Sequence, residues 1–188
     1  MNLAIKKAEI TSGMFLKWEY TEYASGRETQ IKAKSDAPIH EDLSNAIAKL
    51  TPHFVLITEM KKKSEVASDI DLENVPEKLL KKFQVKGFTE EQVQGETIIK
   101  ITGTKFLKNG KAISFETPKT DRGSDEDAYE FFDQLIDTVE SIKEEILAFM
   151  DGKQAESNQT NMFEGFEPET NASEDQPVEH ESFEQQSA

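Results

Sequence analysis

Alternation of apolar and polar residues dominates the first third of the chain. Met14, Leu16, Trp18 and Tyr20 fall on one side of an extended segment and Phe15, Lys17, Glu19 and Thr21 on the other, which predicts a strand with one buried face. Ser25-Gly26 then supplies a tight turn, after which Thr29, Ile31 and Ala33 alternate with Gln30, Lys32 and Lys34 to complete a hairpin. A preceding strand over Leu3 to Ile10, turning at Ser12-Gly13, can pair with it. Beyond Pro38 the period changes. Leu43, Ile47 and Leu50 recur at helical spacing from Glu41 until Pro52 ends or kinks the helix. His53 to Met60 fits either more helix or a fourth strand, and Lys61 to Pro76 reads as a polar connection.

The same order of elements recurs in the second half. Phe83 to Phe88 is a short strand candidate and Thr97 to Leu107 a long one; Asn109-Gly110 is a hairpin turn, and Ala112 to Thr117 a returning strand. A helix follows. Ser124 with Asp127 reads as a capping box, and Asp121, Asp125, Glu126 and Asp127 as negative charge at a helix N-terminus. Tyr129, Phe132, Leu135, Val139, Ile142, Ile146 and Phe149 then form an apolar stripe. Aligning the halves sets Lys17 against Lys100, Leu16 against Ile99, Gly26 against Gly110, Arg27 against Lys111 and Glu41-Asp42 against Glu126-Asp127. The expected fold class is therefore α+β: antiparallel hairpins each followed by a helix, with an internal duplication. The body is expected over residues 1–153, in units of about 1–60 and 80–153.

Charge sharpens the division. Of 188 residues, 37 are acidic and 22 are Lys or Arg, for a formal charge of -15. Met1 to Lys119 is nearly balanced, Thr120 to Lys153 strongly acidic, and Gln154 to Ala188 contains no Lys or Arg. That last stretch is rich in Gln, Asn, Ser and Glu and too poor in apolar residues to offset its ordering entropy, so residues 154–188 are expected to be a disordered acidic tail. The absence of cysteine removes disulfides, thiolate metal sites and thiol nucleophiles. No apolar run is long enough to span a bilayer, and the N-terminus lacks a basic region followed by an apolar one, so no membrane association and a cytoplasmic location are expected.

If the Leu16 and Trp18 face lies under the helices, the opposite face presents Lys17, Lys32, Lys34 and Lys100, with Arg27, Lys105, Lys108 and Lys111 near the hairpin ends. Lysines tracking phosphates, beside accessible Phe15, Tyr23 and Phe106 for stacking, are the chemistry of single-stranded nucleic-acid binding. Two strand-rich units each closed by a helix resemble, over about Leu3 to Phe149, the Whirly-type single-strand binders, although three strands per unit are read here where that family has four. An acidic tail behind such a body is similar to bacterial and phage single-strand binding proteins. The resemblance implies single-stranded DNA as partner and a role in DNA replication or recombination, in the host cytoplasm if the chain is phage-encoded. A solvated strand face is the competing reading of the lysines.

Within the tail, Gln159-Thr160-Asn161-Met162-Phe163 resembles the bacterial sliding-clamp-binding pentapeptide, which implies that Gln159, Met162 and Phe163 contact the clamp or another replication protein. Met162 and Phe163 are isolated large apolar side chains, and burying each in a partner pocket contributes about 1.5 to 3 kcal/mol.

No phosphate loop, nucleophile elbow or zinc helix is present, so no catalytic residue, metal or cofactor is assigned and the protein is read as a non-enzyme. Asp69, Asp71 and Glu73 alternate like a calcium loop but lack its glycine and closing Glu. His40 and His53 stand alone and read as surface or boundary residues. The rival reading is an acidic interaction or inhibitor module, its helix and tail mimicking DNA toward a basic partner. Homo-oligomerisation is left open.

Overall fold

Three tight turns set the architecture. Ser12-Gly13, Ser25-Gly26 and Gln94-Gly95 all adopt positive φ (52° and 76°, 51° and 74°, 54° and 88°), the conformation of the hairpin turns whose twist matches that of paired strands. They join β1 (Asn2–Thr11) to β2 (Phe15–Ala24), β2 to β3 (Arg27–Lys34), and β4 (Phe83–Val93) to β5 (Glu96–Phe106). A longer loop, in which Asn109 Oδ1 accepts from the Lys111 amide at 3.1 Å, leads to β6 (Ala112–Glu116). The computed structural model describes residues 2–66, 75–123 and 128–155. The Asp69, Asp71 and Glu73 cluster, the Ser124 to Asp127 capping box and the Gln159 to Phe163 pentapeptide therefore lie outside the described residues.

The six strands form one antiparallel sheet in the order β3-β2-β1-β4-β5-β6. Its centre is a short seam between β1 and β4, where Lys7 pairs with Thr89, Ala8 with Phe88 and Glu9 with Gly87. Gly87 is what allows the approach, since a Cβ there would lie 1.8 Å from the Ala8 carbonyl oxygen. Each seam strand also carries an irregularity beside its outer partner, between Ile5 and Lys7 on β1 and between Val85 and Gly87 on β4. Such bulges bend a strand and increase its twist.

The described helices pack over one face. α1 (Glu41–Ala48) begins at His40, whose Nδ1 accepts from the Asp42 amide at 3.2 Å, so this histidine is a helix cap. α2 (Thr51–Ile57) follows almost directly, with Pro52 in its first turn, where the missing N–H costs nothing. The His53 to Met60 ambiguity thus resolves as helix. α3 (Lys63–Val66) and α4 (Glu77–Leu80) are single turns, and α5 (Phe132–Met150) lies alongside α1. Ile5, Ala8, Leu16, Phe88, Ile99 and Ile101 of the sheet and Leu43, Ile47, Phe54, Leu135, Val139, Ile142 and Ile146 of the helices are buried in one core. The tip of the Phe54 ring reaches the sheet because Gly103 leaves room; a Cβ there would meet its ring at 2.7 Å. Trp18 packs edge-on against Phe149, centroids 6.0 Å apart, on the core side as its parity requires. The described residues belong to one compact unit, Met1–Glu156; Gln154 bridges to Ile39, and the Ala155 amide donates to the Pro38 carbonyl at 3.2 Å.

Three expectations are corrected. α5 starts at Phe132 rather than near Ser124, because Tyr129 is held by His53 (Oη to Nδ1, 2.8 Å) and Phe131 is buried in the core, which fixes this stretch as a turn. Asp121 consequently serves a local turn, accepting from the Gly123 amide at 2.9 Å, and the acid in the first turn of α5 is Asp133. β4 runs on to Val93, beyond Phe88. His53 is fully buried, with Tyr129 as its partner.

Candidate nucleic-acid interface

Cross-strand partners share a face, so the register fixes which side chains point away from the helices. Lys34, Lys17 and Glu9 form one row, since Lys34 pairs with Lys17 and Lys17 with Glu9. The next row runs Lys32, Glu19, Lys7, Thr89 and Lys100. Four of the expected basic residues therefore share the helix-free face: Lys17, Lys32, Lys34 and Lys100. Strand parity adds Phe15, Tyr23 and Phe106 to it; Tyr23 and Phe106 are 44% and 41% exposed, and Phe15 is half-buried.

The charges on this face are mixed. Lys32 pairs with Glu19 at 3.2 Å, and Lys100 lies between Glu91 at 3.5 Å and Glu116 at 4.0 Å. The hydrogen bond from Lys119 to Glu91 holds that carboxyl below its ordinary value, with Lys100 adding to the effect. Lys17 and Lys34 have no carboxylate within ion-pair distance among the described residues, although they stand directly opposite one another. Like charges facing across a strand pair are destabilising, which makes this pair the place on the face where an anion gains most.

The remaining basic candidates divide between two corners. Arg27 stands at the tip of the β2–β3 hairpin and Lys108 and Lys111 in the β5–β6 loop. These lie at opposite ends of the sheet, because β2 and β5 run antiparallel about the seam. Lys105 points to the helix side, paired with Phe83 and Ile113.

Sequence reasoning overlooked Lys7 on the central strand, the two lysines at the bulges (Lys6 and Lys86), and the clefts beside them. Past the three seam pairs β1 and β4 part at both ends. At one end a cleft of about 700 Å³ opens, lined by Glu9, Thr11, Gln84, Lys86 and Phe106 at its mouth and by Ser44, Ala48 and Thr51 of the helices below. At the other a smaller cleft of about 220 Å³ is lined by Lys6, Lys7, Thr89, Glu90 and Glu91 of the seam strands and extends over Glu19 to Thr21 of β2 and Gln30 to Lys32 of β3. The helix side of that end holds the Lys143–Glu90 ion pair. Among the described residues no group of three His, Asp or Glu is placed to hold a metal ion, and no helix is long and apolar enough to cross a membrane.

No protein-family model, curated protein or solved structure matches the chain.

Proposed function

We propose that the protein is a non-catalytic, phage- or bacterial-type accessory of DNA replication or recombination that binds single-stranded DNA across the helix-free face of its sheet. The observation that carries this reading is the pairing of exposed aromatics with unneutralised lysines on one pleated surface: Tyr23 and Phe106 toward its two ends, Lys17 beside Lys34 between them and one edge. Bases stack on the rings whatever their identity, while the ammonium groups take phosphates. Residues 157–188 dock the complex onto a sliding clamp or another replication protein through Gln159, Met162 and Phe163, and the protein acts in the cytoplasm.

The body is read as a duplicated three-strand-plus-helix unit, in the manner of the Whirly-type binders. The seam register supports this, because a two-fold axis between Ala8 and Phe88 reproduces all three of its pairs. The same operation brings the bulge at Lys6 into register with that at Lys86, Lys17 with Lys100, and Tyr23 with Phe106. A strand of DNA would thus meet two related stacking sites on a single chain.

Titration of a labelled single-stranded oligonucleotide tests the reading. Tyr23→Ala and Phe106→Ala are each expected to weaken binding by roughly 5- to 100-fold, the equivalent of losing one base stack. Lys17→Glu combined with Lys34→Glu should weaken it further. Affinity unchanged in all three variants, or no affinity in the parent, overturns the proposal.

One observation favours the rival reading. Asp133, Asp137, Glu140 and Glu144 are all exposed and recur at the three- and four-residue spacing that lines up one side of α5. Two are already engaged, Asp133 by Arg122 and Glu140 by Lys143 at 2.7 Å, which reduces the anionic character this stripe offers a basic partner.

A further inference from the structure

The larger seam cleft is formed by three sequence features acting together. Gly87 draws β4 hard against Ala8 and Glu9 at the crossing. The bulge just before it turns Phe83 to Lys86 away from β1, and pairing between the two strands stops there. Ser44, Ala48 and Thr51, all small, leave the floor unfilled. At about 700 Å³ the opening has the size of a small-molecule site, with room for a nucleotide. Thr51 itself is fully covered, and its hydroxyl has no hydrogen-bond partner among the described residues.

The mouth carries the chemistry. Phe106 is an exposed ring on one wall, Gln84 offers an amide donor and acceptor, and Glu9 offers a carboxylate that only accepts. Lys86, with only a 3.4 Å contact to Ser114 Oγ, adds a cation. We propose that this cleft is a slot for one unstacked base of the bound strand, its ring against Phe106, its hydrogen-bonding edge against Gln84 and Glu9, and its phosphate on Lys86. The inference rests on the reading of the helix-free face as a single-strand platform, and adds a site at which that platform distinguishes bases. Glu9 selects bases with an exocyclic amine, so cytosine or adenine enters in preference to thymine.

The cleft at the opposite end of the seam does not do the same. It is smaller, about 220 Å³, and Glu90, which lines it, is engaged by Lys143. Among the described residues the seam therefore carries one such slot, off the centre of the sheet, and a bound strand takes a defined polarity.

The full chain is titrated with dCMP and with dTMP while backbone amide resonances are followed, and its affinity for oligo-dC and oligo-dT is measured in parallel. Shifts from dCMP concentrated in Glu9 to Gly13 and Gln84 to Lys86, weaker with dTMP, are expected. Oligo-dC should bind about tenfold more tightly than oligo-dT, a ratio that falls toward one in Glu9→Gln while oligo-dT affinity changes little. Seam resonances unmoved by dCMP overturn the slot, even where oligonucleotides bind and Lys17→Glu abolishes that binding, a result that leaves the platform standing. Seam shifts in a protein that binds no oligonucleotide support the slot and remove the platform. A dC to dT ratio that persists in Glu9→Gln overturns the assignment of Glu9.

Discussion

At His53 the imidazole has no exposure to solvent; its Nδ1 meets Tyr129 Oη at 2.8 Å, and its Nε2 has no partner among the described residues. Burial pulls its pKa from 6.5 down to about 4, and on the other side of the contact burial first, then the charge of Glu130, raise that of the Tyr129 phenol. The consequence for stability has a definite sign. Between pH 6.5 and 4 the unfolded chain takes up a proton that the folded chain refuses, so stability is complete above the upper value and falls as acid is added. The full loss is about 3 kcal/mol. Urea unfolding of the parent and of His53→Leu at pH 7 and pH 4 checks this. The parent's advantage should shrink on acidification by an amount of that order, and an advantage independent of pH excludes the mechanism. Nothing in the local sequence marks His53 out, because its partner is remote in the chain and is brought to it only when α5 docks.

Elements are held to one another by similarly specific contacts, the clearest being the ion pair between Lys143 of α5 and Glu90 of β4. Both are nearly withdrawn from water, with side-chain exposures of 14% and 9%. Burial works against the lysine's charge, but hydrogen bonds to Glu140 and Glu90 outweigh it and hold its pKa above the ordinary value. Removing Lys143 leaves the Glu90 carboxylate buried with no ion-pair partner. Lys143→Met is therefore expected to cost about 3–5 kcal/mol in urea unfolding, and adding Glu90→Leu should recover most of that. A double variant no more stable than the single one contradicts the pairing argument. The same contact explains what could be read from sequence and what could not. The hairpins at Ser12-Gly13, Ser25-Gly26 and Asn109-Gly110 were legible because turn chemistry is local. The outer half of β4 was not, since Glu90-Glu91-Gln92 puts a carboxylate where alternation calls for an apolar residue, and only a lysine on a distant helix makes that tolerable. The helix-free face was legible in part. Parity assigns Lys17, Lys32, Lys34 and Lys100 to it, but the glutamates that meet Lys100 become visible only once β4 and β6 are known to flank it.

Across the whole molecule the question is whether a chain of net charge -15 can attract an anionic polymer. Charges more than about 10 Å from the bound strand are largely screened at 0.1 M salt, so the local face decides. There Glu19 already answers Lys32, and Glu91 and Glu116 already answer Lys100, leaving Lys7, Lys17, Lys34 and the cleft lysine Lys86 to meet phosphates. Four neutralised phosphates on a single strand give a slope of log K against log salt of about -3, so affinity should fall roughly 50-fold between 50 and 200 mM salt. A platform made only of cations, engaging many more phosphates, would be far steeper, and most of the affinity here must come from stacking on Tyr23 and Phe106. Anisotropy titrations over that salt range measure the slope directly, and Lys17→Gln or Lys34→Gln should each make it shallower by about 0.7. A slope of opposite sign, with binding strengthened by salt, would mean that acidic repulsion outweighs the lysines at contact distance; the stripe on α5, rather than the sheet, would then be the surface to pursue.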